Sequence, residues 1–170
     1  MTTSIRRARR ADLDALVALL AELFSLEADF RPHAGRQRRG LGLLLGSPRD
    51  RLVLVADQGG AVVGMATVQL VVSTAEGGLA GLVEDVIVAA GVRGGGIGRR
   101  LLARAEAWAR RQGATRLQLL ADRGNGRALR FYARTGWSRT RLVCLRRGEV
   151  GARRTARAAG PRCSTRVHPR

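Results

Sequence analysis

The run Arg93-Gly94-Gly95-Gly96-Ile97-Gly98 stands between a strand-like stretch and an amphipathic one. Glycines this dense at the mouth of a helix leave backbone N–H groups bare, and bare N–H groups at a helix N-terminus bind anions. No side chain there obstructs the approach of a phosphate. A P-loop would need Lys followed by Ser or Thr after its second glycine. Here Arg99 and Arg100 follow Gly98, and all 31 basic residues are Arg. A dinucleotide fingerprint would need G-x-G-x-x-G, and Arg99 stands where its third glycine would fall. What fits is R-x-x-G-x-G, at Arg93, Gly96 and Gly98.

The elements that must hold this loop follow from periodicity. Residues 4–9 read as a first strand. Asp12 can cap a helix carrying Leu13, Leu16, Val17, Leu20, Leu23 and Phe24 at helical spacing. Residues 34–46 form a second helical stretch. Residues 51–56 and 61–74 form a hairpin across the turn Asp57-Gln58-Gly59-Gly60. After a turn at 76–78, residues 82–88 make the strand that feeds the glycine loop. Leu101, Leu102, Ala105, Trp108 and Ala109 predict an amphipathic helix over 97–112, stopped by Gly113. A strand at 116–121 follows, then a helix opened by Asn125 and ended by Gly136, then a strand at 137–146. The order predicts one mixed α/β domain over residues 1–146. Residues 147–170 lack periodicity and read as a basic, disordered tail.

Composition bounds the function. The formal net charge is +18, of which the seven Arg and one Glu of residues 147–170 supply +6. Such charge suits anionic ligands, and nonspecific nucleic-acid contact through the tail. There is no aromatic stacking platform, zinc spacing or helix-turn-helix pattern for specific recognition. Exclusive use of Arg points to coding bias more than to a binding surface. Two cysteines make no disulfide framework, Cys144 reading as strand core and Cys163 as tail. No apolar run approaches the roughly 20 residues that span a bilayer, and no secretory signal is visible. The expectation is a cytoplasmic protein with no membrane partner and no metal.

Three pieces resemble the GNAT superfamily of N-acetyltransferases: Leu82-Val83-Glu84-Asp85-Val86-Ile87-Val88, the Arg93–Gly98 loop, and Asn125-Gly126-Arg127-Ala128-Leu129-Arg130-Phe131-Tyr132 followed by Gly136-Trp137. Asn125 and Tyr132 are the only Asn and Tyr in the chain. Ala90 stands where the family usually has proline. The resemblance spans roughly residues 4–146. It implies a mostly antiparallel mixed sheet of about six or seven strands, splayed in the middle and flanked by about four helices.

The resemblance also implies roles. Acetyl-CoA would set its pyrophosphate on the amides of Gly94, Gly95, Gly96, Ile97 and Gly98, with charge from Arg93 or Arg99. Its pantetheine arm would pair with the backbone of Val86, Ile87 and Val88, and Asn125 would cap its helix and touch that arm. Glu84 would take the proton of an amine acceptor as general base, and Tyr132 would protonate the departing thiolate. As neighbours in a strand, Glu84 and Asp85 are expected on opposite faces, leaving one for the acetyl group. Acetyl transfer is expected to be direct, with no acyl-enzyme. Glu27 and Asp29 could attract a cationic amine, or could balance Arg31 and Arg36. The acceptor is open, as is a homodimer. An acetyl-CoA sensor without turnover and a basic nucleic-acid-binding protein are the alternatives.

Overall fold

Strand and helix periodicities meet in one five-stranded sheet. A computed structural model describes residues 2–147. Its elements are β1 (Thr3–Arg7), α1 (Leu13–Ser25), α2 (Ala34–Leu45), β2 (Arg51–Gln58), β3 (Ala61–Ser73), β4 (Gly78–Val88), α3 (Ile97–Arg111), β5 (Ala114–Leu119) and α4 (Gly126–Arg134). The sheet order is β1-β2-β3-β4-β5. The first four strands pair antiparallel, and β5 pairs parallel to β4. A parallel neighbour requires a crossover, and α3 supplies it.

The two faces of the sheet carry separate cores. On one, Leu16, Leu20 and Leu23 of α1 and Leu41 of α2 pack against Val53, Val55, Met65 and Ile87. On the other, Leu101, Leu102, Ala105 and Trp108 of α3 pack against Leu52, Leu54, Val68 and Val83. Alternation along β2 sends successive residues to opposite cores, which is why Leu52 through Ala56 are all buried.

Charge ties β1 to its surroundings. Asp12 precedes α1 but its carboxylate does not cap that helix. It instead accepts both terminal nitrogens of Arg6 at 2.8 Å and the Arg9 N–H at 2.6 Å. Arg6 also donates Nε to Asp57 at 2.9 Å. The partly buried guanidinium holds the Asp12 carboxyl below its usual range, against the opposing effect of burial.

One expected element does not form. Residues 137–147 contain no strand, and the sheet has five strands among the described residues rather than six or seven. Leu142, Val143 and Leu145 are exposed, as is Cys144, which is therefore not core. The local composition favours a strand, but a strand exists only where a ladder partner is in register. The expected tail, apart from Arg147, lies outside the described residues. Among those residues no helix is long and apolar enough to cross a membrane.

Leu101 is fully buried at the centre of the α3 core. Replacement by Ala is expected to lower unfolding free energy by about 2–5 kcal/mol, read from urea denaturation.

Candidate active site

The site begins where β4 outruns β5. Their parallel ladder covers Leu79–Val83 against Ala114–Leu119 and then stops. β4 continues to Val88 with β3 as its only partner strand. From Glu84 onward, one edge of β4 therefore faces a gap instead of a strand, the splay expected of the central strand. Antiparallel alternation decides which backbone groups face it. The Ala89 N–H donates to Val63 O at 2.9 Å, so the groups of Ile87, two residues earlier, also point to β3. Those of Val86 and the N–H of Val88 point into the gap, while Val88 O accepts Arg93 Nε at 2.7 Å. Of the three residues expected to pair with a pantetheine arm, Ile87 thus turns its main chain to β3 and buries its side chain with α1.

The glycine loop lies at the end of this edge. Gly94 and Gly96 have φ of 91° and 76°, a region that side-chain-bearing residues rarely adopt. A Cβ placed on Gly94 or Gly96 would meet nothing within 4 Å, so the backbone there is open. The first turn of α3 has no side-chain cap. The amides of Gly94, Gly95, Gly96, Ile97, Gly98 and Arg99 have no acceptor among the described residues. Six free donors in succession at the positive end of a helix suit an anion such as a pyrophosphate.

Gly98 has a different reason. A Cβ there would stand 3.1 Å from the Phe131 ring, so this glycine admits α4 against α3. The Arg93 side chain also serves the fold. Its Nε donates to Val88 O at 2.7 Å and it pairs with Glu22 of α1. It latches the loop to the sheet, leaving the amides and exposed Arg99 for an anion.

Glu84 and Asp85 do not face opposite sides of the sheet. The β3–β4 register moves from Ala66↔Val86 to Val68↔Val83, so Thr67 alone stands opposite both acidic residues. That bulge turns both carboxylates to one face. Thr67 donates its hydroxyl to Asp85 at 3.0 Å, and Gln69 donates its amide to Glu84 at 2.8 Å. Thr67 and Gln69 are two apart on β3 and share a face. The Thr67 hydroxyl also accepts the Asp85 N–H at 3.0 Å, satisfying a group freed by the bulge. Glu84 is exposed, whereas the Asp85 carboxyl is withdrawn from water and pushed up to about 6. Burial is the main cause, resisted by the Thr67 hydrogen bond and reinforced by the charges of Glu84 and Glu27.

Tyr132 reaches the site from α4. Its ring packs against Phe131 and Trp137, with centroids 5.3 and 6.0 Å away. Burial, with a smaller contribution from Glu27, pushes its phenol up to about 12. The hydroxyl has no hydrogen-bond partner among the described residues. Asn125 caps α4, its Oδ1 accepting the Ala128 N–H at 3.0 Å.

Two loops complete the surroundings. Glu27 and Asp29 lie beyond the end of α1, not on a helix surface, and neither pairs with Arg31 or Arg36. The Ala28 N–H approaches Asp122 Oδ2 at 3.4 Å, joining the α1–α2 loop to the β5–α4 loop. Half-buried Glu27 is raised by burial first, then by Asp122 and Asp29. Sequence reasoning missed Asp122, Thr67 and Gln69, because nothing in local spacing brings β3 or the β5–α4 loop to Glu84.

Comparison with known proteins agrees with this geometry. Residues 14–137 match the family model described as Acetyltransferase (GNAT) family. The chain is 32% identical over 136 residues to an aminoalkylphosphonate N-acetyltransferase of Salmonella typhimurium, covering 80% of this chain and 85% of that protein. A transcriptional regulator from Bacillus halodurans has a similar structure, with a TM-score of 0.75 at 25% identity over 86% of this chain and 99% of that one. An aminoglycoside N-acetyltransferase solved with CoA shares the fold, with a TM-score of 0.74 at 15% identity over 88% and 96% of the two chains. The chain belongs to the GNAT family and is an acetyl-CoA-dependent N-acetyltransferase.

Proposed function

We propose that the chain transfers acetyl directly from acetyl-CoA to an amine, with the Glu84–Asp85 pair as general base and Tyr132 as general acid. The observation that carries this reading is the open edge of β4. It runs from the free amides before α3 to the carboxylate pair, within one chain of main-chain donors and acceptors.

Acetyl-CoA supplies the activated thioester. The amides of Gly94–Arg99 would hold its pyrophosphate, and the Val86 main chain with the Val88 N–H would align the arm as an added strand. Asn125 would border that arm from the start of α4. An alkyl amine is protonated at neutral pH and cannot attack until it loses a proton. Asp85, ionised above about pH 6 and more basic than an ordinary carboxylate, is suited to accept it, with exposed Glu84 passing the proton to water. The free hydroxyl of Tyr132 stays protonated at neutral pH and can donate to a departing thiolate.

Tyr132→Phe is expected to lower turnover about 100-fold or more while the dissociation constant for CoA, measured by calorimetry, stays unchanged. Equal turnover would remove Tyr132 from the mechanism. The wild-type rate should fall as pH drops through about 6, because Asp85 takes up a proton and loses its basic form. Asp85→Asn should erase that limb of the pH–rate profile; if Glu84→Gln erases it instead, the exposed member is the base. Gly96→Glu forces a charged side chain into a left-handed position among the amides and should abolish CoA binding in the same titration.

A further inference from the structure

Away from the glycine loop, α3 carries a second row of polar side chains. Arg100, Arg104, Trp108 and Arg111 recur at helical spacing along the side that meets the edge strand β1. The first of them serves the fold, since Arg100 donates to Thr3 O at 2.7 Å. Beyond that strap, the helix and the strands leave a cavity of about 160 Å³. Leu52 and Leu54 of β2 line it together with Trp108, and Arg7, Arg104 and Arg111 stand around it. Arg7 is paired with Leu54 across the β1–β2 ladder, so the two side chains share the α3 face of the sheet. Arg6 also borders the cavity, but its guanidinium is engaged by Asp12 and Asp57.

Two observations set this cavity apart from ordinary arginine-rich surface. The first is an orphaned donor. Trp108 is only 3% exposed, and its indole N–H has no acceptor among the described residues. An indole nitrogen can only donate, and a buried donor calls for an acceptor. The second is the sign of the lining. Every polar side chain that borders the cavity is a donor, and no carboxylate is among them. Arg7, Arg104 and Arg111 have exposed side chains that make no ion pair among the described residues. Guanidiniums drawn together without a counter-ion repel one another. An anion relieves that repulsion and gives the indole its acceptor.

The place along α3 sets the kind of binding. Trp108 stands eleven positions after Ile97, about 16 Å along the helix axis from the free amides. The helix dipole favours an anion at the glycine loop and opposes one beside the last turn. Side chains must therefore supply the attraction here, and the forked donors of Arg match the oxygens of a phosphate or carboxylate. A cavity of roughly 150 Å³ admits a molecule the size of benzene, so the occupant is small.

We infer that the cavity between α3 and the β1–β2 edge is a second anion site, separate from that of acetyl-CoA, for a small multivalent oxyanion. A phosphate or a short dicarboxylate would be gripped by Arg7, Arg104 and Arg111, with one oxygen on the Trp108 indole N–H. Bound there, the anion ties the edge strand to the helix whose other end carries the free amides.

The test follows the indole N–H signals of the full chain by proton–nitrogen NMR, with Trp108→Phe and Trp137→Phe assigning the two tryptophans. Inorganic phosphate and succinate are titrated separately into CoA-saturated and CoA-free protein, at an ionic strength held fixed with sodium chloride. The expected result is a saturable shift of the Trp108 signal with at least one anion, present with and without CoA. Arg104→Gln and Arg111→Gln should each weaken that anion at least about fivefold. Both side chains are exposed and unpaired, so these variants test binding without disturbing the core. Tighter phosphate assigns a phosphorylated ligand to the site, and tighter succinate a carboxylate. No saturation with either anion overturns the inference, as does full affinity in the Arg104→Gln/Arg111→Gln double variant. A Trp108 shift abolished by CoA overturns it too, because the anion then acts from the glycine loop. So does a shift that only a DNA duplex produces, which would make this face a nucleic-acid contact.

Discussion

Beyond Val83, β4 has a strand on one side and none on the other. Main-chain donors and acceptors are obligatory hydrogen-bonding groups, so an edge this far inside a sheet must find a partner or meet water. The rest of the site is arranged around that unpaired edge. β5 ends at Leu119, and its loop carries Asp122 away from the sheet toward the α1–α2 loop. Meanwhile α3 starts beyond the end of β4, so its free amides prolong the line of unpaired groups. α4 closes the other side, seated against Gly98, and brings Tyr132 with it. The gap exists because the parallel pairing ends at Val83 and Leu119.

The bulge at Thr67 does a second job. It lets two adjacent residues share a face, which regular pleating forbids. Glu84 is exposed, and half-buried Asp85 beside it is raised mainly by its burial. The Thr67 hydroxyl accepts the Asp85 amide and donates to the Asp85 carboxylate, so the irregular backbone and the unusual side chain are held by one oxygen. Arginine performs the opposite service elsewhere. Arg6 fastens β1 to β2 and to the start of α1, and Arg93 fastens the glycine loop to α1 and β4.

Local signals carried far in this chain. Periodicity placed α3 within a residue of its observed bounds, because five buried positions of one face recur at helical spacing. The hairpin of β2 and β3 was legible from Gly59 and Gly60, both in left-handed conformation. Expectations failed where a partner decides. Residues 137–146 have the composition of a strand and no ladder. The engagement of Arg93 with Glu22, 71 positions away in sequence, has no local signal. Glu27 and Asp29 were open to attracting a cationic amine or balancing Arg31 and Arg36, and neither forms an ion pair with those arginines.

The amino-acid sequence by itself determined the glycine loop, the helix behind it and the family, because each depends on residues close together in the chain: glycines free to take positive φ, a single apolar stripe, and Asn125 and Tyr132 held seven positions apart. Only the tertiary structure decided that Glu84 and Asp85 point the same way, that Ile87 turns its main chain to β3 while Val86 does not, and that Asp122 meets the α1–α2 loop. Those outcomes depend on register between strands and on the meeting of distant loops. Pairing across a sheet is a long-range property that no window along the chain contains.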